Sequence, residues 1–308
     1  MSVELRHLRC FVAVAEDLSF SAAARRLYLS QQALSRIVQQ LEREVGSKLF
    51  DRTTRSVRLT PAGEAMLSTA RESIVAATHA VEKARGVAQG DPVARLRIDV
   101  SSGGLETGAL VLQHLRRDHP RLPVEQLEDG VPRGLVNLQE GGLDALLGLA
   151  THCPAHVPSE VIRHEPVLIG MAEGHPLARL DAVPVTELAG VELLLPSPEA
   201  ATEWIELVEQ FCGLAGVSPR RWPGVTHGHV AAAHVLREHR CVVPTPTWAD
   251  PPADLVFRPL VDPDPVLTWS LMTAPGSQDR PEIDMLRHSA RAVTTDHNWL
   301  TQDHARSP

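Results

Sequence analysis

Residues 30–42, SQQALSRIVQQLE, carry the side chains whose chemistry is most readily named. Gln31, Gln32, Ser35, Arg36 and Gln39 offer amides, a hydroxyl and a guanidinium. These groups match the hydrogen-bonding edges of base pairs in a major groove: Gln bidentate to adenine, Arg bidentate to guanine, Ser to several bases or a phosphate. Leu34, Val38, Leu41 and Val45 recur at steps of four, three and four, so one stripe of a helix is apolar and the polar set falls opposite it. Ser30 is a natural N-cap for that helix. Taken alone, such a face is as readily a solvated surface as a base-reading one, and the neighbouring elements decide between the two.

Before it, Leu5, Leu8, Phe11, Val12 and Ala15 form an amphipathic helix, and Ser19 caps a second short one carrying Ala23, Ala24 and Leu27. Only Tyr28 and Leu29 then separate that helix from the Ser30 cap, which predicts a helix-turn-helix with the polar-faced member in the groove. After Gly46, Leu49 and Phe50 pack inward and Val57 and Leu59 alternate with Arg58 as a strand does. The stretch 51–56 between them reads as a hairpin tip bearing Arg52 and Arg55, a basic wing whose plain alternative is ordinary surface charge.

From Thr60, with Pro61 at the first helical position, to about Ala88 the pattern predicts one long helix. Leu67, Ala70, Ile74, Ala77, Val81, Ala84 and Ala88 recur at alternating steps of three and four, a seam that fits pairing with a second copy better than packing on the chain's own body. A symmetric dimer places two reading helices on two half-sites, so the DNA site is expected to be an interrupted palindrome. Residues 1–60 hold ten Lys or Arg against six Asp or Glu, a net of +4 within a chain of −8. The acidic balance therefore belongs to the remainder, outside any phosphate footprint.

The remainder alternates strands and helices. Gly86, Gly90, Asp91 and Pro92 are expected to break the long helix as a hinge. Strands are expected at 96–100, 124–127, 145–149, 167–172, 191–195 and around Val242, and helices at 104–118, 134–140, 201–215 and 230–238, before a Pro-rich stretch at 244–265. That order predicts parallel α/β sheets with crossover helices. A chain of 308 residues, 43% hydrophobic, can form two or three packed units. It has no charged-then-apolar leader and no apolar run of about 20 residues, which leads us to expect a cytoplasmic protein with no membrane partner. Four scattered cysteines are expected to be reduced thiols. No Gly-x-Ser-x-Gly elbow, Gly-x-Gly-x-x-Gly turn or phosphate-binding loop is present, so no catalytic residue, cofactor or metal is assigned.

In order and spacing, LR-x-F-x-x-VAE from Leu8 to Glu16, SF-S-x-AA from Ser19 to Ala24, SQ-x-ALSR from Ser30 to Arg36, LE at Leu41 and Glu42, G-x-x-LF-x-R from Gly46 to Arg52 and V-x-LT-x-AG from Val57 to Gly63 resemble the winged helix-turn-helix signature of LysR-type transcriptional regulators. Two positions depart from it: Gln32, where the family usually has Pro, and Ile37, where it usually has a polar residue. More weakly, LRI at Leu96, HP at His119, GGLD at Gly141, EGHPLA at Glu173 and ELAG at Glu187 resemble the regulatory half of that family, which has the fold of type 2 periplasmic solute-binding proteins. Val131, where a Ser or Thr is often found, and VLREHRC at 235–241, where relatives carry a glycine-rich stretch, depart here.

The resemblance implies an α/β chain: a winged helix-turn-helix at 1–59, a dimerising linker helix at 60–90, a two-lobed effector-binding domain at 91–300 and a polar tail at 301–308. Lobe I is expected at about 95–168 and 272–300, and lobe II at about 169–271. The residues expected to meet a double-stranded DNA operator are Ser21, Ser30, Gln31, Gln32, Ser35, Arg36 and Gln39, with Arg52, Thr54 and Arg55 of the wing. An unidentified small-molecule effector is expected in the cleft between the lobes, at Ser101, Ser102, Gly103, Ser197, Thr202, Thr226 and His227, whose hydroxyls and backbone N–H groups suit an anionic group as well as they suit helix capping. A homodimer, a homotetramer and a contact with RNA polymerase are the further partners implied. The alternative within the same architecture is a metal or redox sensor built on His152, Cys153, His156, His227, His229, His234, His239 and Cys241.

Overall fold

The structure is a computed structural model that describes residues 3–52, 57–88, 95–101, 104–224, 226 and 228–300. The expected hinge residues Gly90, Asp91 and Pro92 and the tail at 301–308 lie outside the described residues. The chain divides into two compact units, the first built on the N-terminal helices and the second holding most of the chain beyond the linker.

In the first unit, α1 (Leu5–Asp17) buries Phe11 and Val14 completely. The short α2 (Phe20–Arg26) starts where the Ser19 hydroxyl accepts the Ala22 N–H at 3.3 Å. In the same way α3 (Gln31–Val45) starts where the Ser30 hydroxyl accepts the Ala33 N–H at 3.1 Å. Leu34, Val38 and Leu41 reach zero exposure, as their spacing predicts. Val45 does not join them and is 42% exposed, because the last turn of α3 runs past the core before Gly46, at φ +76°, reverses the chain. The core closes around Phe50, whose ring lies 5.4 Å from Phe11 and 5.7 Å from Phe20.

A hairpin of β1 (Phe50–Arg52) and β2 (Val57–Leu59) comes next, with Phe50 opposite Leu59 and Arg52 opposite Val57. Glu42, 4% exposed on α3, fastens that hairpin to α3. Its carboxylate accepts the N–H groups of Leu49 at 3.0 Å and Phe50 at 3.3 Å, and pairs with Arg52 at 3.4 Å. The long α4 (Pro61–Ala88) continues through Gly86, so that glycine does not end it. Ala70 and Ile74 of α4 belong to the same core as α1, whereas Val81 is 50% exposed and Ala84 is exposed. Arg71 of α4 and Arg26 of α2 both meet Glu16 of α1, at 3.2 and 2.9 Å.

The second unit runs β3 (Leu96–Asp99), α5 (Glu106–Asp118), β4 (Val124–Leu127), α6 (Val131–Glu140), β5 (Ala145–Leu149) and β6 (Ser159–Pro166). It continues through β7 (Leu168–Ala172), β8 (Val183–Pro184), β9 (Glu192–Leu193), α7 (Thr202–Leu214), β10 (Arg220–Arg221) and α8 (Gly228–Glu238). It ends with β11 (Cys241–Thr245), β12 (Leu255–Val261), β13 (Val266–Thr273) and α9 (Pro281–Asp296). One sheet has the order β4-β3-β5-β13-β6 and the other β10-β9-β11-β7-β12-β8, which gives two lobes. The chain passes between them at Val167 and returns between β12 and β13. The two crossings are tied together, since the Val167 N–H donates to the Pro265 carbonyl at 2.9 Å and the Leu260 N–H donates to the Val167 carbonyl at 3.0 Å.

The sheets are mixed rather than purely parallel: β13 runs antiparallel to both β5 and β6, and β7 antiparallel to β11 and β12. The strands that make them so were hidden by composition. β6 buries Arg163 and Glu165, and β12 carries Pro259 inside a stretch whose prolines read as irregular.

Replacing Glu42 with Ala leaves two buried N–H groups without an acceptor and should destabilise the first unit by about 2 kcal/mol. Hydrogen exchange of the full chain should then speed up more than about tenfold at the Leu49 and Phe50 amides. Unchanged protection there would show that the hairpin does not depend on this carboxylate.

Candidate DNA-reading face and effector cavity

The outward side of α3 presents Gln31, Gln32, Arg36 and Gln39, all exposed. Two of the expected contact residues are held in place by neighbours. The Ser21 hydroxyl donates to Gln31 Oε1 at 2.9 Å, which leaves the Gln31 NH2 group as a donor. Ser35 accepts from Arg52 Nη1 at 3.0 Å. Arg52 itself stands 4.2 Å over the Phe20 ring and pairs with Glu42, so this wing arginine braces α3. Arg36 and Arg58 are exposed and have no ion-pair partner among the described residues. The Ser30 hydroxyl serves as the cap described above and keeps its own proton as a donor. Thr54 and Arg55 lie outside the described residues. Of the two departures, Gln32 is fully on the exposed face, while Ile37 is half-buried and packs on the core.

Two further exposed residues of the head were not singled out by helical spacing. Arg58 projects from β2, a position where charge alone was the signal. Tyr28, the only tyrosine of the chain, is 96% exposed in the turn before α3 and holds φ +53°.

In the second unit a cavity of about 350 Å³ opens between the lobes. Ser101 and Thr226 line it, as expected. Ser101 commits its groups to the protein: its N–H donates to Asp99 Oδ1 at 2.7 Å and its hydroxyl to the Leu147 carbonyl at 2.7 Å. Ser197 and Thr202 are not in the lining. They belong to the turn that starts α7, where the Thr202 hydroxyl donates to the Pro198 carbonyl at 2.6 Å, and Pro196, Ala200 and Ala201 face the cavity instead. Ser102, Gly103 and His227 lie outside the described residues. Val131 is buried against Gly148 and does not line the cavity, so its missing hydroxyl removes nothing from it.

The lining that sequence spacing did not reveal is aromatic and acidic: Trp204, Trp248, Trp269, His229, Glu128, Asp129 and Glu203. Trp269 is oriented by Glu165, which is 1% exposed and accepts its indole N–H at 2.6 Å. The same carboxylate accepts the Thr247 N–H of the other lobe at 2.7 Å and pairs with Arg163 at 3.4 Å. The Thr247 carbonyl in turn accepts the Glu106 N–H at the head of α5, at 3.0 Å. Asp99, nearly fully buried, takes the N–H of Asp129 at 2.8 Å as well as that of Ser101, and burial pushes its carboxyl above the usual range against those bonds. Burial also raises Glu203. Gly130, at φ +85°, lies so close to the Ala200 carbonyl that any Cβ there would collide with it.

The cysteines do not have the surroundings of a reactive thiol. Cys10, Cys212 and Cys241 are buried and Cys153 is partly so; burial raises all four, Cys212 to about 11. Among the described residues no three His, Cys, Asp or Glu side chains gather as a metal site. His152 pairs with Glu206 at 2.6 Å, and His229 and His239 pack on Trp248 and Trp222, each with centroids 5.5 Å apart. Native protein at pH 7.5 should therefore release less than one equivalent of thiol with Ellman's reagent, rising to four on unfolding. A fast-reacting native thiol would reopen the redox reading.

Residues 5–64 match the family model described as bacterial regulatory helix-turn-helix protein, lysR family, and residues 89–294 match the LysR substrate binding domain. The chain is 38% identical over 204 residues to the uncharacterized HTH-type transcriptional regulator YnfL of Escherichia coli K12, covering 66% of this chain and 68% of that one. It is 29% identical over 273 residues to the regulator BenM of Acinetobacter baylyi, covering 86% and 88%. The crystal structure of full-length BenM matches 96% of this chain and 98% of its own, with TM-score 0.56 and 26% identity. Full-length CbnR in complex with its target DNA shares the fold, with TM-score 0.53 and 24% identity over 94% of this chain and 100% of that one. The chain belongs to the LysR family of DNA-binding transcriptional regulators, with a helix-turn-helix head and an effector-binding domain.

Proposed function

We propose that this regulator reads its operator with the outward face of α3. The observation that carries this reading is the contrast on that face: Gln31 and Ser35 are fixed by Ser21 and Arg52, while Gln32, Arg36 and Gln39 are exposed. Preorganised groups and uncommitted ones side by side are what direct readout of base edges needs. Ser30, Thr54, Arg55 and Arg58 then hold phosphates, Ser21 orients Gln31, and Arg52 keeps the wing against α3. Gln32 supplies a donor and an acceptor that a proline lacks, so operator preference differs at the base it meets.

Self-association rests on α4. Ala70 and Ile74 are used inside the first unit, so the seam available to a second copy is the distal half, where Val81 and Ala84 continue the apolar stripe into solvent. A dimer joined there presents two reading helices to an interrupted palindrome, and a tetramer presents four. The cavity in the second unit takes a small-molecule effector, and its occupancy changes how the heads engage DNA. We assign the protein no catalytic role; it acts in the cytoplasm, on DNA and through RNA polymerase.

Operators selected from random duplexes should show two related half-sites. On such an operator Arg36→Ala should cost about 1–3 kcal/mol and relax preference at one base pair, while Arg121→Ala changes nothing. Equal losses from both variants would remove α3 as the reader. Val81→Asp combined with Ala84→Asp should sediment as a monomer with the head still folded. An intact dimer would place the self-contact elsewhere.

A further inference from the structure

The effector cavity is lined by three carboxyl groups, those of Glu128, Asp129 and Glu203, and, among the described residues, by no lysine or arginine. The one other titratable lining group among them is the His229 imidazole. Asp129 is partly compensated by Asn137 at 3.3 Å and Arg133 at 3.9 Å. Glu203 is not: it is 4% exposed, and among the described residues its carboxylate meets no donor beyond its own backbone N–H. The neighbouring His152 is paired with Glu206 at 2.6 Å. A buried carboxylate without a partner is costly, and an incoming cation removes that cost.

Among the described residues, several groups that would attract an anion are already occupied by the protein. Asp99 holds the N–H groups of Ser101 and Asp129, the Thr247 carbonyl holds the Glu106 N–H at the head of α5, and Glu203 itself sits in the first turn of α7. The apolar wall is made by Trp204, Trp248 and Trp269. The indole N–H of Trp248 donates to Thr245 Oγ1 at 2.7 Å and that of Trp269 to Glu165, so these two offer ring surface.

On the reading that this cavity is the effector site, we propose that it takes an organic cation: an ammonium group on an apolar or aromatic body, with Glu203 as counter-ion and the tryptophans as walls. An anionic effector would bring its negative charge to a lining that already holds three carboxyl groups.

The test uses the full-length protein and matched probes: phenethylamine, phenylacetate and 2-phenylethanol, with binding read by calorimetry and by tryptophan fluorescence. Phenethylamine should bind saturably and at least tenfold more tightly than phenylacetate, and Glu203→Gln should erase that preference while operator binding is retained. Phenylacetate binding as tightly, or phenethylamine failing to bind at millimolar concentration, overturns the proposal. The wild-type comparison decides this even where the variant does not fold. Ala232→Trp, which fills the cavity, separates the two levels of the reading. If phenylacetate is preferred and Ala232→Trp abolishes its binding, the effector site stands and the ligand class falls; if phenethylamine binding survives Ala232→Trp, the effector site itself is misplaced.

Discussion

A buried carboxylate must find donors, and each unit of this protein is organised around one that does. Glu42 in the first unit and Glu165 in the second are 4% and 1% exposed; Glu42 gathers the Leu49 and Phe50 N–H groups and Arg52, and Glu165 gathers Arg163, the Thr247 N–H and the Trp269 indole N–H. Leaving such a group unpaired costs far more than the pairing gains, so the surrounding segments have little freedom to shift. Rigidity at these two points sets the geometry of the two functional surfaces.

In the head, the consequence runs from Glu42 to Arg52 and from Arg52 to Ser35. The wing hairpin cannot move relative to α3 without breaking that chain, so groove-reading and backbone-holding groups keep one spacing. In the effector domain the consequence runs from Glu165 to Trp269 on one side and to Thr247 on the other, which joins a cavity wall in one lobe to a loop of the other.

The head was legible in the sequence almost residue by residue. Caps at Ser19 and Ser30, the stripe of Leu34, Val38 and Leu41, and the hairpin alternation are all local, and each was found where its spacing put it. Val45 was misread because the apolar stripe outruns the core that it packs on. The effector domain was less legible. β6 disguises a buried strand with Arg163 and Glu165, which pair with each other and with Glu106 and Thr247 on other segments, and β12 tolerates Pro259 within the sheet. Ser197 and Thr202 were chosen for their hydroxyls, yet the start of α7 uses the Thr202 hydroxyl locally and turns backbone and alanine toward the cavity.

The sequence by itself determined the family, the elements of the head and the polar face of α3, because helical period, capping and turn chemistry act over a few residues. Only the tertiary structure decided which of those groups are held and which are uncommitted, that half of the α4 stripe is already used inside one chain, and that the effector cavity is acidic and walled by tryptophan. Burial, partner and sign of charge at a site depend on residues that meet only after folding: Glu203 of α7, Trp248 of the loop after β11 and Trp269 of β13 carry no trace of their proximity in their sequence spacing.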